Sequence, residues 1–211
     1  MKTETGLKAS DFWRPAFDYE TRPDGTILMR QRGALGDFEA TLADYFDKWA
    51  DATPDSTWIA RRHQGGDWRR ISYGAARNQI RAIGASLLAM GLGPDRPLLI
   101  LSENSLEHAL LGMACAYVGI PYAPVSPAYA LVSKDHAKLR DIAATLRPGA
   151  LYADDGDAFA PAFSAIAEEG RQVIALRNAG QGAVSFEELL AGDPSGAEAA
   201  RAALSDETVV K

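Results

Sequence analysis

Two polar segments of the sequence directly follow predicted β-strands and carry side chains able to bind a ligand. Ser102-Glu103-Asn104-Ser105 comes after the apolar residues 98–101, and Ser126-Pro127-Ala128-Tyr129 comes after the predicted strand 120–125. In open parallel sheets, ligands bind at the carboxyl ends of the strands. The candidate residues for the wall of a substrate pocket are therefore Asn104, Ser105, Ser126 and Tyr129.

Both segments also have a purely structural interpretation. Asn104, with Glu107 three residues later, has the composition of a helix N-terminal cap. The proline-containing segment 126–129 is equally suited to be a rigid connector between elements. Ligand contact and these structural roles remain alternatives at this point.

The other residues that could do chemistry form no recognisable site. Gly91-Leu92-Gly93 lacks the third glycine of a dinucleotide fingerprint and precedes its strand. Asp154, Asp155 and Asp157 have the oxygen chemistry that Mg²⁺ or Ca²⁺ prefers, but they lack EF-hand spacing, and an aspartate before a helix is a common cap. The histidines, His63 among them, lack metal-ligand spacing. We predict no catalytic residue and no metal site in this chain.

Composition restricts the class of protein. A formal net charge of -6 disfavours nucleic acid as a partner, because phosphate binding needs a basic surface. The single cysteine, Cys115, rules out an intramolecular disulfide. Residues 1–10 contain no apolar signal-peptide core, and no apolar stretch approaches the roughly 20 residues of a membrane span. We expect a soluble, cytoplasmic protein.

The elements that would position the candidate residues alternate along the chain. Strand-like apolar runs at residues 98–101, 120–125, 150–153 and 173–176 are separated by helical periodicity. This alternation predicts a mainly parallel, doubly wound α/β sheet of about five strands with helices on both faces. An antiparallel hairpin around Gly65-Gly66 is expected to precede it.

The sequence before and after this sheet suggests three regions. Residues 1–36 are predicted to form an extended arm or hairpin, residues 37–190 the α/β subdomain, and residues 191–211 a loop and the start of a further strand. Thr41 is expected to cap a helix with one apolar face, formed by Leu42, Tyr45, Phe46 and Trp49. Since the chain ends as an apolar run begins, we expect it to be truncated.

Several motifs occur in the order found in one enzyme family. They are residues 41–50 followed by Pro54-Asp55, residues 66–73, Asn104-Ser105-Leu106-Glu107, and residues 119–125. Together they resemble the N-terminal portion of the adenylate-forming acyl- and aryl-CoA synthetases, the AMP-binding enzymes. Residues 122–129 followed by 133–139 are most similar to those of feruloyl-CoA synthases.

The resemblance implies an ATP-dependent ligase and part of its large N-terminal domain. The carboxylate of an aromatic acid such as ferulate would attack ATP, assisted by Mg²⁺, to give an acyl-adenylate and pyrophosphate. Coenzyme A would then displace AMP and form a thioester. Such a reaction depends on positioning and electrostatic stabilisation rather than on a protein nucleophile.

This sequence departs from the family pattern in one respect. The Ser/Thr/Gly-rich phosphate loop and the C-terminal domain with its catalytic lysine are missing from these 211 residues. We therefore expect the chain alone to be inactive, to bind no cofactor tightly, and to self-associate through the surface at residues 208–211. The alternatives are a ligase for another acid, such as benzoate or a fatty acid, and a non-catalytic binding or interaction domain on the same scaffold.

Overall fold

The computed structural model describes residues 16–34, 36–62 and 65–211. The expectations for residues 1–15, and for His63 and Gln64 at the tip of the predicted hairpin, lie outside this description. Contacts divide the chain after Phe38 into two units, which are described separately.

The first unit contains a two-stranded antiparallel hairpin. Strand β1 (Phe17–Thr21) pairs with β2 (Ile27–Gln31). Gly25 has a φ of 86°, a left-handed conformation that glycine adopts without steric cost, and it closes the turn between the strands. Because alternate residues share a face, the paired residues Tyr19 and Met29 lie on the same side of this ribbon. Their side chains are largely exposed.

The second unit begins with helix α1 (Leu42–Ala52). Thr41 caps it: its hydroxyl accepts a hydrogen bond from the Asp44 N–H, and the Asp44 carboxylate accepts one from the Thr41 N–H. This is the capping box that the sequence predicts.

The predicted apolar face of α1 is wrong for three of its four residues. Only Phe46 is buried, and its ring packs 5.4 Å from Trp58 and 5.8 Å from Tyr73, measured between centroids. Leu42, Tyr45 and Trp49 are 58%, 39% and 50% exposed. The residues that α1 buries are Ala43, Phe46 and Ala50. The aromatic cluster around Phe46 turns the smaller alanine face inward, which a periodicity count alone does not reveal.

Next come strands β3 (Thr57–Arg62) and β4 (Trp68–Ser72), which form the predicted antiparallel hairpin. Helix α2 (Tyr73–Ala89) follows, capped by the hydroxyl of Ser72. The rest of the chain alternates strands and helices. These elements are β5 (Leu98–Ile100), α3 (Leu106–Val118), β6 (Tyr122–Pro124), α4 (Ala128–Leu131), α5 (Ala137–Leu146), β7 (Ala150–Asp155), α6 (Gly156–Ala165), β8 (Gln172–Arg177), β9 (Val184–Ser185), α7 (Phe186–Leu190), a 3₁₀ turn (Pro194–Ala197) and α8 (Glu198–Ala202).

The five later strands form one parallel sheet in the order β6-β5-β7-β8-β9. Leu98 and Ile100 pack with residues of α2 and α3 on one face. Leu99 and Leu101 pack with residues of α5 and α6 on the other. The predicted fold class, a doubly wound α/β sheet preceded by a hairpin, is confirmed.

Two local features complete the fold. Helix α5 begins at Ala137, after a turn in which the Ser133 hydroxyl accepts a hydrogen bond from the His136 N–H. At the chain end, residues 208–211 form no regular strand, although the Val210 carbonyl accepts a hydrogen bond of 3.1 Å from the Tyr122 N–H of edge strand β6.

Within the described ranges, no helix combines the length and the apolar character needed to cross a membrane.

Candidate functional site

A cleft of about 770 Å³ lies at the carboxyl ends of β5 and β6. Its walls are the loop before α3, the start of α3 itself, strand β3 and the proline-rich segment after β6. This is the sheet edge at which ligands of open α/β folds bind. The polar residues that line it are Arg61, Ser102, Glu103, Asn104, Ser105, His108 and Ser126.

The start of α3 is organised by Ser105 rather than by Asn104. The Ser105 hydroxyl accepts a hydrogen bond of 2.9 Å from the His108 N–H and so caps the helix. The Asn104 carbonyl oxygen instead accepts a hydrogen bond of 2.7 Å from the guanidinium of Arg61 on β3. The capping role considered for Asn104 is therefore wrong, and no hydrogen bond of its side-chain amide occurs among the described residues.

Ser102 adds an unpartnered polar group to this cleft. It is 2% exposed, and its hydroxyl makes no hydrogen bond in the described part of the chain. A buried hydroxyl without a partner costs roughly 1–3 kcal/mol. Such a group therefore marks a position where a ligand or an ordered water would supply the missing bond.

The proline-rich segment forms the apolar wall of the cleft. Pro124, Val125 and Pro127 line it together with Ser126. The carbonyl of Ser126 accepts a hydrogen bond of 3.0 Å from the Tyr129 N–H, which starts the short helix α4. The segment is thus both a rigid connector and a cleft wall.

Three of the four candidate residues come together here. Asn104, Ser105 and Ser126 line the cleft, whereas Tyr129 does not. The Tyr129 ring packs against the cluster of α5 and α6, with the Lys138 ammonium 4.9 Å from its centroid. Whether these residues bind a substrate stays a prediction.

The other reactive groups considered in the sequence have structural positions. The Asp155 carboxylate accepts hydrogen bonds from the N–H groups of Asp157 and Ala158 and caps α6. Burial raises the pKa of the Cys115 thiol, which holds it in the unreactive protonated form. Among the described residues, no three His, Cys, Asp or Glu side chains are grouped so as to hold a metal ion.

The sequence profile of the AMP-binding enzyme family matches residues 46–204. The chain belongs to the AMP-binding enzyme family. The matched range includes the cleft and all four candidate residues. The resemblance inferred from the motifs is confirmed at the level of this family, and similarity to feruloyl-CoA synthases in particular stays a proposal.

Relatives of this AMP-binding enzyme include bacitracin synthase 1 from Bacillus licheniformis, which is 30% identical over 123 residues. That match covers 56% of this chain and 2% of the relative. Tyrocidine synthase 3 from Brevibacillus parabrevis is 29% identical over 91 residues, 43% of this chain and 1% of that protein. The chain therefore spans only a few hundredths of the length of these relatives.

Solved structures show the same fold. Acetoacetyl-CoA synthetase from Streptomyces lividans superposes with a TM-score of 0.61 at 18% identity, over 81% of this chain and 26% of that one. A benzoate CoA ligase from Burkholderia xenovorans LB400 gives 0.56 at 18% identity, over 72% and 28% of the two chains. At such identities the likeness defines the fold of this AMP-binding enzyme and not its substrate.

Arg61 and Ser102 are among the cleft residues that the sequence did not identify as candidates. Arg61 lies on a hairpin strand and is separated from Asn104 by 43 positions, so that only the fold brings them together. Ser102 belongs to the polar segment 102–105, but its position in the sequence did not indicate that its side chain would be buried. A serine one residue beyond an all-apolar strand was the available signal.

Proposed function

We propose that this chain forms the N-terminal part of the catalytic domain of an AMP-forming acid–thiol ligase. The acid would be a hydroxycinnamate such as ferulate, and the thiol would be coenzyme A. The observation that carries the proposal is the cleft at the carboxyl edge of the sheet, where Asn104, Ser105 and Ser126 meet the proline wall within the family-matched range.

The chemistry of the cleft suits an aromatic acid. Pro124 and Pro127 offer flat apolar contact to a ring. Asn104 and Ser126 offer an amide and a hydroxyl, which can hydrogen bond to ring hydroxyl or methoxy groups. Such a lining, mostly apolar with a few placed polar groups, is typical of small-molecule sites.

ATP and Mg²⁺ are implied by the proposed reaction, but the described residues do not fit a triphosphate. The chain has no Ser/Thr/Gly-rich loop ending in lysine, and its carboxylates are not grouped around a cation site in the described ranges. We therefore assign no phosphoryl-transfer step to residues of this chain. Their proposed part is to bind and orient the acid, which by itself can contribute several orders of magnitude in rate.

A second candidate function is transfer of the acyl group to a carrier protein instead of coenzyme A. It is favoured by the match to bacitracin synthase 1 and tyrocidine synthase 3. It is also favoured by the fold shared with the NpsA N-terminal subdomain of Klebsiella oxytoca, solved with 3-hydroxybenzoyl-AMSN, at a TM-score of 0.52 and 18% identity. Both functions share the adenylation step and differ in the acceptor.

Pyrophosphate release tests the first step. We expect none from the 211-residue chain with ferulate, ATP and Mg²⁺, and we expect release from the protein translated from the complete gene. A thioester formed with free coenzyme A supports the first function, and transfer only to a carrier protein supports the second. Release by the chain alone, or a preference for long-chain fatty acids over ferulate, contradicts the proposal.

A pair of serine variants tests the cleft in the complete protein. Ser126→Ala removes a hydroxyl that lines the cleft, and Ser164→Ala removes one on α6 that does not. We expect Ser126→Ala to raise KM for ferulate about three- to tenfold, the effect of one lost hydrogen bond, with little change from Ser164→Ala. Equal KM values for both variants would exclude Ser126 from acid binding.

A further inference from the structure

A second cleft, of about 290 Å³, lies on the other side of the start of α3. It is bounded by the β3–β4 hairpin, the first residues of α3 and the ends of β7 and β8. We call it the arginine cleft, because its charged lining residues are Arg61, Arg62, Arg69, Arg177, Glu107 and Asp154. Four guanidinium groups face two carboxylates, which leaves a formal charge of +2 in a protein whose net charge is -6.

The guanidinium groups of this cleft are only partly paired with carboxylates or hydrogen-bond acceptors. Arg69 pairs with the buried carboxylate of Glu107 at 2.6 Å. Arg177 lies 3.7 Å from the carboxylate oxygens of Asp154 and Asp155, too far for a hydrogen bond.

The two arginines at the end of β3, Arg61 and Arg62, have more N–H groups without a hydrogen-bond partner in the described ranges. Arg61 uses one N–H on the Asn104 carbonyl, and neither it nor Arg62 has a carboxylate within 4.0 Å in the described ranges. The Arg62 guanidinium instead stands over the Trp68 ring, 5.2 Å from its centroid. Several N–H donors therefore remain for a ligand.

Helix α3 directs its N-terminus at the same cleft. Ser105, Leu106 and Glu107 all line it, and the first N–H groups of a helix have no partner inside the helix. Such a terminus carries a partial positive charge and binds anions. The helix is 13 residues long, so the dipole contribution is fully developed.

A buried hydroxyl without a partner lies near several of the residues that line this cleft. Tyr152 is 0% exposed, and its hydroxyl makes no hydrogen bond in the described part of the chain. Tyr152 shares a face of β7 with Asp154, and its hydroxyl lies beside Ser105. Burial and the negative charges of Glu107 and Asp154 raise the pKa of Tyr152, so that it remains a hydrogen-bond donor. Its neighbours are thus the lining residues of the cleft.

We propose that the arginine cleft binds a small phosphate-class anion, such as inorganic phosphate or pyrophosphate. Guanidinium forks match phosphate oxygens in geometry, the positive formal charge of the lining attracts an anion, and the volume suits a compact anion rather than a whole nucleotide. The site does not depend on the proposed ligase reaction, because binding requires neither acid, ATP nor a thiol.

A matched pair of arginine variants tests the site by calorimetry on the 211-residue chain at low ionic strength. Arg62 and Arg70 both stand over the Trp68 ring, at 5.2 and 5.7 Å, but only Arg62 lines the cleft. Arg62→Gln and Arg70→Gln therefore remove the same charge and the same ring contact. We expect phosphate affinity to fall about tenfold in Arg62→Gln and less than about twofold in Arg70→Gln.

Two further measurements keep the test decisive. Tyr152→Phe removes the buried hydroxyl near the cleft and should weaken phosphate binding about threefold. If circular dichroism shows that Arg62→Gln does not fold, Arg177→Gln takes its place. Separate titrations with phosphate, pyrophosphate and benzoate identify the anion. Equal losses in Arg62→Gln and Arg70→Gln, tighter binding of benzoate than of phosphate, or no binding of either phosphate at millimolar concentration would overturn the proposal.

Discussion

At the scale of single residues, Glu107 carries a buried charge at the start of α3. The residue is 4% exposed, and its carboxylate pairs with Arg69, whose side chain is 57% exposed. Breaking a buried pair by removing one partner leaves an uncompensated charge, which costs more than the pair itself contributes. Here the exposure of Arg69 reduces that cost.

We predict that Arg69→Met lowers the free energy of unfolding by roughly 1–3 kcal/mol. Arg70→Met, on the next residue and without a carboxylate partner in the described ranges, should change it by less than about 0.5 kcal/mol. Urea denaturation measures both. Adding Glu107→Gln to Arg69→Met should restore part of the loss, because it removes the buried charge; a double variant less stable than Arg69→Met would contradict this account.

At the scale of elements, α2 and α3 approach closely because Gly84 has no side chain. A Cβ placed at Gly84 would lie 2.7 Å from Cγ1 of Val118, which is stiff in a helix. Overpacking of this kind costs about 1–3 kcal/mol, whereas alanine in place of glycine within a helix gains about 1 kcal/mol. The residue at position 118 therefore decides whether Gly84→Ala raises or lowers the free energy of unfolding.

We predict that Gly84→Ala destabilises the protein by about 1 kcal/mol when Val118 is present and stabilises it when Val118→Ala is present. Thermal unfolding of the four proteins of this cycle measures the coupling. Gly93→Ala, where the added methyl meets open space, is the control and should change little. Effects of the same sign in both backgrounds would rule out the steric explanation.

At the scale of the whole molecule, Arg201 of α8 ties the end of the chain to α1. Its guanidinium bonds to the carboxylates of Asp44, at 2.5 Å, and of Asp47, at 3.3 Å, and lies over the ring of Tyr117. The hydrogen bond from Arg201, followed by that from Thr41, holds the pKa of Asp44 below its ordinary value of 3.8.

A lowered folded-state pKa stabilises the fold above the unfolded value and ceases to do so as pH falls through the folded value. We therefore predict that Asp44→Asn costs about 1 kcal/mol at neutral pH, after solvent screening, and that the difference from the native protein shrinks below about pH 4. Guanidinium chloride unfolding at several pH values measures it. Asp206→Asn, at an exposed position without an ion pair in the described ranges, is the control and should change the free energy of unfolding at neutral pH by less than about 0.5 kcal/mol.

Self-association of the isolated chain through the surface at residues 208–211 stays a prediction, and the N-terminal hairpin offers a further apolar surface for it. The β1–β2 ribbon exposes Tyr19 by 69% and Met29 by 61% on one face, and isolated two-stranded ribbons are marginally stable. Light scattering after size exclusion should show a mass that rises with concentration. Tyr19→Ser with Met29→Ser should reduce it more than Leu28→Ser on the opposite face; a concentration-independent monomer would contradict it.

The sequence by itself determined the fold class and the edge of the sheet at which the cleft lies. Residues 98–101 are apolar throughout because the strand is covered on both faces, and the polar residues after it could only follow its carboxyl end. These are local properties, because the alternation of strands and helices and the burial of a strand can be read from residues that are close together in the sequence.

Only the tertiary structure decided which surfaces meet. It turned Leu42 and Trp49 of α1 outward, moved Tyr129 away from the cleft, and brought Arg61 to Asn104. It also placed the unpartnered Tyr152 hydroxyl near Ser105, Glu107, Asp154 and Arg177, which line the arginine cleft. The physical reason is that periodicity defines the faces of an element, while the choice of the buried face depends on packing with residues distant in the chain.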